Sequence, residues 1–163
     1  MSDFAAIVMK AVHDRGGVFV AESPPSRGAG SRFPIEGRED HVSQFDYPAW
    51  VDLRRATKAD LIYFDQCAFY DGDPGNTTRK KTAFLVNPRG YAAFHKRFSP
   101  MICTHGFNAH EKQAFGMDAQ GRFISSSTEN YSSQMNALIA AAFIDVCDDG
   151  KRHSTLLLSL IHI

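Results

Sequence analysis

The first third of the chain shows an apolar pattern that predicts a helix followed by a buried strand. Asp3 can cap a helix near residues 3–15, and its apolar positions recur at helical spacing at Phe4, Ile7, Val8, Ala11 and Val12. Gly16 and Gly17 supply a C-terminal stop. The strand predicted near 18–22 is entirely apolar at first, which is typical of a strand buried on both faces, as in a parallel sheet. Together these elements resemble half of a βαβ unit.

The middle of the chain predicts a long loop, a short helix and a hairpin. Residues 22–46 are rich in Pro, Gly, Ser and Arg, and loops of that length in compact domains are usually functional or disordered. A helix is predicted near 48–55. Strands near 61–69 and 82–87 flank a dense turn signal at 71–76, so we expect them to pair antiparallel.

Two further helices are predicted near 88–97 and 128–147, the second capped by Ser127 or Thr128. Apolar positions of the second helix step by three and one, at Met135, Leu138, Ile139, Ala142, Phe143 and Val146. Mixed helices and strands of this kind predict an α/β fold.

Composition narrows the class of protein only moderately. The chain has 163 residues, enough for one domain, with 18 Lys plus Arg against 18 Asp plus Glu, so any footprint for nucleic acid must be local. Three cysteines at irregular spacing argue against a disulfide framework and for a reducing location in the cytoplasm or nucleus. We find no signal peptide, and no apolar run is long enough for a membrane span.

The end of the chain differs from the rest. Residues 158–163 resemble the translated transposase end sequence that is used to fragment DNA for sequencing libraries. We therefore expect residues 1–150 to form a single incomplete domain, 151–163 to be a tail, and 158–163 to be a sequencing-adapter artefact at the end of a fragment. A native terminal strand is the alternative.

The first motif with chemical meaning follows the predicted strand. Glu22 ends that strand and precedes the turn Ser23-Pro24-Pro25-Ser26. Ligands of open parallel sheets bind at the carboxyl ends of strands, where a carboxylate can hydrogen-bond a base edge or exchange a proton. An ordinary surface glutamate at a strand end is the alternative.

The second motif lies in the hairpin. Gln66 and Cys67 end its first strand, and a basic triplet, Arg79, Lys80 and Lys81, begins its second strand. The triplet is suited to phosphate contacts. A solvated hairpin edge, where lysine protects against aggregation, is the alternative.

The third motif is a group of potential metal ligands. Cys103, His105 and His110, with Cys67 from the hairpin, have the donor types of a tetrahedral zinc site. The run lacks a second close ligand pair at the spacing of a zinc finger. We therefore expect no metal here and interpret the segment as a loop with hydrogen-bonded histidines.

In order along the chain, these motifs resemble a methyltransferase-like domain of phages and of retroelement polyproteins, a family similar to cytosine-5 DNA methyltransferases. The resemblance covers residues 15–145 and implies an α/β fold with part of a class I methyltransferase (Rossmann-like) sheet. Glu22 corresponds to the strand glutamate that engages the flipped base, and Pro24 and Gln66-Cys67 also match. Ser23 replaces the usual Asn, and Lys80-Lys81-Thr82 replaces Lys-Pro-Thr.

The resemblance implies S-adenosylmethionine as methyl donor and DNA as acceptor, with Glu22 catalytic and Ser23, Pro24, Gln66, Arg79, Lys80 and Lys81 near the substrate.

The resemblance also implies a Gly-rich cofactor loop and a Pro-Cys nucleophile. Nothing before Gly17 matches either, and Cys67 does not follow a proline. We expect this chain to be the C-terminal half, inactive without the N-terminal half of the domain, and Glu22→Ala to abolish methylation in a restored protein with the fold intact.

Two alternatives stay open. Ser23-Pro24-Pro25-Ser26 also resembles the Asp/Asn/Ser-Pro-Pro-aromatic motif of amino-methyltransferases without its final aromatic residue, and the methylated atom would separate the two enzymes. The second alternative is a non-catalytic module of a mobile-element polyprotein that binds nucleic acid or holds a partner domain.

Overall fold

A computed structural model describes residues 2–69, 78–105, 110, 112–113, 131–150 and 158–162. The described helices are α1 (Ser2–Asp14), α2 (Pro48–Thr57), α3 (Pro88–Phe98) and α4 (Ser133–Gly150). The described strands are β1 (Val18–Ser23), β2 (Asp60–Asp65), β3 (Thr78–Arg79), β4 (Lys81–Val86), β5 (Lys112–Gln113) and β6 (Leu158–His162). Short 3-10 turns cover Gln44–Asp46 and Gln66–Phe69. The predicted turn at 71–76 and the predicted cap at Ser127 or Thr128 lie outside the described residues.

The main sheet has the strand order β2-β4-β1-β6. Strand β4 is antiparallel to both β1 and β2, so β1 and β2 run in the same direction on either side of it. Helix α2 lies in the connection from β1 to β2. The predicted antiparallel pairing of the hairpin strands is confirmed, and the fold is mixed α/β. A second, two-stranded sheet pairs β3 with β5.

Helices pack on both faces of the sheet, because alternate residues of each strand point to opposite sides. One face carries the core cluster that α3 and α4 cover: Val20, Ile62, Phe64, Phe69, Phe84, Val86, Phe94, Phe98, Met135, Ile139 and Ala142. The other face carries the cluster that α1 and α2 cover: Ala6, Met9, Phe19, Ala21, Phe45, Trp50, Leu53, Ala59, Ala83 and Leu85. All six residues of β1 are buried, as predicted for a strand covered on both faces, but its neighbour β4 is antiparallel rather than parallel.

The stop of α1 and the start of α3 meet beside β1. Gly16 has a φ of 73° and donates to His13 O at 2.8 Å, which is the left-handed helix end that the glycine pair predicts. The side chain of Asn87, which precedes α3, donates to Gly17 O at 2.9 Å. A Cβ added at Gly90 would lie 2.7 Å from Val18 Cγ1, so α3 packs directly on the strand.

The predicted apolar face of α1 is wrong at its first two positions, whereas Val12 packs against the core as predicted. Phe4 and Ile7 are 72% and 67% exposed, whereas Ala6 and Met9 are buried. The pattern allowed several rotations of the helix, and packing of Met9 and Ala6 in the cluster with Trp50 selects this one.

Two predicted boundaries are also corrected. The strand predicted at 61–69 ends at Asp65, because the chain turns into a 3-10 helix at Gln66. Helix α4 begins at Ser133 rather than near 128, with Ser132 Oγ accepting from Met135 N at 3.0 Å.

The tail, which the sequence analysis excluded from the fold, contributes β6. Residues Leu158–His162 pair parallel with β1. Such pairing uses backbone groups, which every sequence has, so the predicted origin of residues 158–163 stays a prediction. No helix in the described ranges combines the length and apolar character that crossing a membrane requires.

Candidate functional site

The carboxyl ends of β1 and β2 bring two buried acids to one edge of the sheet. Glu22 is 1% exposed and Asp65 is 0% exposed. Each faces a lysine from the start of β4: Lys81 Nζ lies 3.0 Å from Asp65 Oδ2, and Lys80 Nζ lies 3.8 Å from Glu22 Oε1. Moving each ion out of water costs several kcal/mol, so four buried charged groups are a poor way to gain stability.

The two lysines serve different faces of the sheet because successive residues of an extended chain point to opposite sides. Lys80 reaches Glu22 on the face that α3 and α4 cover, and Lys81 reaches Asp65 on the opposite face. Neither lysine forms the solvated edge that the alternative interpretation described, since they are 9% and 8% exposed. Contact with a phosphate would require either lysine to leave its acid.

Tyr131 covers Glu22 on the α4 side. Its hydroxyl hydrogen-bonds the carboxylate of Glu22. Burial, followed by the negative charge of Glu22, raises the pKa of Tyr131 above the ordinary tyrosine value, so the phenol keeps its proton and donates. Glu22 is therefore held by a lysine and a tyrosine at once.

Asp65 also connects the sheet to a cluster of cysteines and histidines. Its Oδ2 accepts from Cys103 N at 3.0 Å, and its backbone nitrogen donates to Met101 O at 2.8 Å. Cys103 Sγ in turn lies 3.4 Å from His105 Nδ1 and 3.0 Å from His110 Nε2. With the buried Cys67 of the 3-10 turn, one donor atom from each of these four residues lies within 4.8 Å of all the others.

An open groove of about 680 Å³ runs along the outer side of β2. Its walls include the rings of Phe33 and Tyr63, whose centroids are 5.1 Å apart. Arg32 lies over Tyr63 at 5.0 Å and Lys81 lies over Phe33 at 4.8 Å. Arg54 also lines the groove. Cations over aromatic rings are a common platform for unpaired bases.

The other residues that the sequence predicts near a substrate differ in their burial. Ser23 is 4% exposed, and Gln66 is 2% exposed with its backbone nitrogen donating to Lys80 O at 2.9 Å. Gln66 Nε2 is buried without an acceptor among the residues described. Pro24 is exposed. Arg79 pairs in register with Gln113, and its side chain lies outside the description.

Sequence analysis missed the groove residues and Tyr131. Its length predicts that the loop at 22–46 is functional or disordered, but nothing in its composition singles out Arg32 and Phe33. Tyr63 was assigned only to a strand, and Tyr131 follows residues without a clear pattern. Alternation along β2 could have indicated that Tyr63 and Asp65 share a face.

The described residues do not fit S-adenosylmethionine. The glycines that follow β1 lie in a folded-back loop rather than in a turn leading into a helix. The backbone nitrogen of Gly28 donates to His41 O at 2.9 Å, and a Cβ at Gly28 would lie 2.5 Å from Glu39 O. The backbone of the loop itself therefore occupies the space beside Gly28 that a ligand would need. A methyl donor would have to bind another part of the domain.

No protein-family model, curated protein or solved structure matches this chain. Its function is therefore argued from the chemistry of this edge of the sheet.

Proposed function

We propose that this chain is the base-binding part of an S-adenosylmethionine-dependent, DNA methyltransferase-like protein, with no methyl transfer of its own. The observation that carries the proposal is Glu22, a carboxylate buried at the carboxyl end of a central strand and held by Lys80 and Tyr131. In the family that the motifs resemble, this glutamate engages the flipped base. The methyl donor supplies an electrophilic methyl group when it is bound elsewhere in the domain.

The strand arrangement supports the proposal. The resemblance implies a partial methyltransferase-like sheet with a terminal antiparallel hairpin. Strand β4 is antiparallel to β2 and lies between β2 and β1. Both acids then lie at the carboxyl ends of parallel strands, where ligands of α/β sheets bind.

Access to Glu22 sets a condition on the mechanism. Its carboxylate is covered, so a flipped base reaches it only after Tyr131 swings away. The tyrosine hydroxyl would then be a stand-in for the N–H edge of the base, because both donate a hydrogen bond to the same carboxylate. Lys80 would stay beside Glu22.

The groove favours a second candidate function, a non-catalytic module that binds unpaired nucleic acid. Phe33 and Tyr63 offer ring faces for stacking once the cations that lie over them, Arg32 and Lys81, move aside. Arg32 and Arg54 offer positive charge. This function needs no methyl donor and no access to Glu22. Both functions require DNA as partner and agree with a location in the cytoplasm or nucleus, and they differ in whether one base is recognised.

Fluorescence anisotropy with the full chain tests the proposal. The probes are a paired DNA duplex, the same duplex with a cytosine opposite an abasic site, and a single strand. Base recognition predicts the tightest binding to the unpaired cytosine, because flipping then costs least. Glu22→Gln, which keeps the size of the side chain, should remove this preference and leave binding to paired DNA unchanged.

Groove variants separate the two functions. Arg32→Ala should lower the slope of log K against log salt by about 1, and Tyr63→Ala should cost about 1–3 kcal/mol on the single strand. Arg55→Ala, in an exposed ion pair with Asp52, is the control. A groove effect without a cytosine preference supports the module and rejects base recognition. If the parent chain binds none of the three DNA probes at low salt, both proposed functions are rejected.

A further inference from the structure

We propose that Cys67, Cys103, His105 and His110 bind one zinc ion in a closed tetrahedral site. The inference is independent of the proposed function, since it needs neither DNA nor a methyl donor. It reverses the expectation from sequence, which rested on the lack of a finger-type ligand spacing.

The distances between donor atoms are close to those of bound zinc. Zinc lies about 2.3 Å from sulfur and about 2.0–2.1 Å from nitrogen, so neighbouring donors in a tetrahedron are roughly 3.3–3.8 Å apart. Cys103 Sγ lies 3.4 Å from His105 Nδ1 and 3.0 Å from His110 Nε2. All four donors lie within 4.8 Å of one another, so a shift of about 1 Å brings them to zinc geometry.

The donor types select zinc over the common alternatives. Two thiolates and two imidazoles are softer than the oxygen ligands that Mg²⁺ and Ca²⁺ require. Two thiolates also neutralise a divalent cation, which lowers the cost of placing it beside the buried Cys67. The carboxylate of Asp65, which accepts from the backbone of Cys103, is also engaged by Lys81.

Four protein ligands leave no position for water, so the ion would be structural. Cys67 lies in the turn that ends β2, and Cys103 lies in the segment after α3. The ion would join these two segments next to Asp65. It would thereby fix the edge of the sheet at which Asp65 and Lys81 lie.

The order of the four ligands along the chain explains why their spacing does not indicate a metal site. Cys103, His105 and His110 lie close together along the chain, whereas Cys67 lies 36 positions before Cys103. The hairpin of β2 and β4 followed by α3 returns the chain to the end of β2. Only this return brings the fourth donor to the other three.

Metal analysis of the full chain tests the proposal. We expect protein expressed with added zinc and purified under reducing conditions to retain one zinc ion per chain. The cobalt-substituted protein should show the visible bands of tetrahedral Co²⁺ and a thiolate-to-cobalt charge-transfer band. Binding releases the two thiol protons, so zinc affinity should fall as the pH is lowered.

Variants assign the ligands. His105→Ala removes an exposed side chain, and Cys103→Ser is nearly isosteric; each should lower zinc affinity by more than about 10-fold, since even partners that only orient ligands contribute that much. The matched controls are His95→Ala, exposed on α3, and Cys147→Ser on α4, which should bind zinc like the parent chain. Circular dichroism of each variant with added zinc establishes that it is folded.

Three results would overturn the proposal. The first is a folded, reduced chain that binds no zinc after reconstitution. The second is loss of zinc from Cys147→Ser to the same extent as from Cys103→Ser. The third is alkylation of Cys103 that zinc does not slow, which would favour a reactive thiol paired with His110 instead.

Discussion

Asp65 and Lys81 form a buried ion pair, with Nζ 3.0 Å from Oδ2, across the end of the hairpin between β2 and β4. The same carboxylate oxygen holds the backbone nitrogen of Cys103 at 3.0 Å. One acid therefore joins the sheet to the segment that follows α3.

Removing one partner of this pair should destabilise the protein strongly. Lys81→Met leaves the carboxylate of Asp65 buried without its counter-charge, and we expect a loss of roughly 3–5 kcal/mol in the free energy of unfolding. Urea unfolding at neutral pH measures it. The double variant Asp65→Asn/Lys81→Met should recover most of the loss, because asparagine keeps an acceptor for Cys103 N and carries no charge.

The control for this prediction is an exposed pair of similar distance. Lys10 Nζ lies 2.7 Å from Asp14 Oδ2 on α1, with both side chains about half exposed. Lys10→Met should change stability by less than about 0.5 kcal/mol. Equal effects at Lys10 and Lys81 would show that burial of the Asp65 pair contributes nothing.

Glu22 variants should affect folding as well as recognition. The sequence predicts that Glu22→Ala leaves the fold intact, but alanine removes the buried carboxylate that faces Lys80 and accepts from Tyr131, so a cost to the fold is expected. We expect Glu22→Ala to lower the free energy of unfolding by about 3–5 kcal/mol and Glu22→Gln to lower it less. Thermal unfolding of both variants distinguishes them, and equal melting temperatures would contradict the buried network.

Tyr131 should make stability depend on alkaline pH. Its pKa in the folded state is raised above the ordinary tyrosine value of about 10, so the folded chain holds this proton where the unfolded chain loses it. The free energy of unfolding therefore has its full contribution from Tyr131 below about pH 10 and loses it as the pH rises further. Urea unfolding between about pH 8 and pH 11 should show a shallower fall in Tyr131→Phe than in the parent chain.

The other shifted tyrosines provide the comparison. Burial also raises the pKa of Tyr63 and, near the surface, of Tyr91. Tyr91→Phe, away from Glu22, should change the alkaline slope less than Tyr131→Phe. The reverse order would mean that the hydrogen bond to Glu22 does not hold the proton of Tyr131.

Gly90 should tolerate no side chain. A methyl group there meets Val18 Cγ1 at 2.7 Å and Val86 Cγ1 at 3.1 Å, both in the packed sheet. We expect Gly90→Ala to cost about 1–3 kcal/mol, although alanine favours helices, because α3 must move off β1. Ala92→Ser, on the exposed side of α3, should stay within about 0.5 kcal/mol. A Gly90→Ala protein with unchanged melting temperature would contradict the close packing.

Sequence pattern predicted the elements better than it predicted their orientation. The uninterrupted apolar run of β1 predicts a strand that is buried on both faces, and the stripe of α4 predicts the one face that this helix buries. The rotation of α1 was not predictable, since Phe4 and Ile7 are apolar and yet exposed. Which apolar residues face the core is decided there by the partner surface around Trp50.

The sequence predicts individual residues of the candidate site but not that they lie close together. Glu22 and Gln66 were named from their positions at strand ends, and the donors of the cysteine and histidine cluster were named from residue type. Their juxtaposition depends on the return of the chain after α3, which no local pattern encodes. The burial of Lys80 and Lys81 was equally hidden, because a basic pair in sequence is usually solvated.

The place of β4 in the sheet has a consequence for the order of folding. Strands β1 and β2 each pair with β4, which follows them in the chain. During synthesis, β1 and β2 must therefore wait for residue 86 before either gains this partner. The contacts between β2 and β4 span fewer residues than the contacts between β1 and β4. Loop-closure entropy therefore favours the β2–β4 hairpin as the folding nucleus, with β1 joining the sheet afterwards. Mutations in β2 should then slow folding, whereas mutations in β1 should mainly speed unfolding.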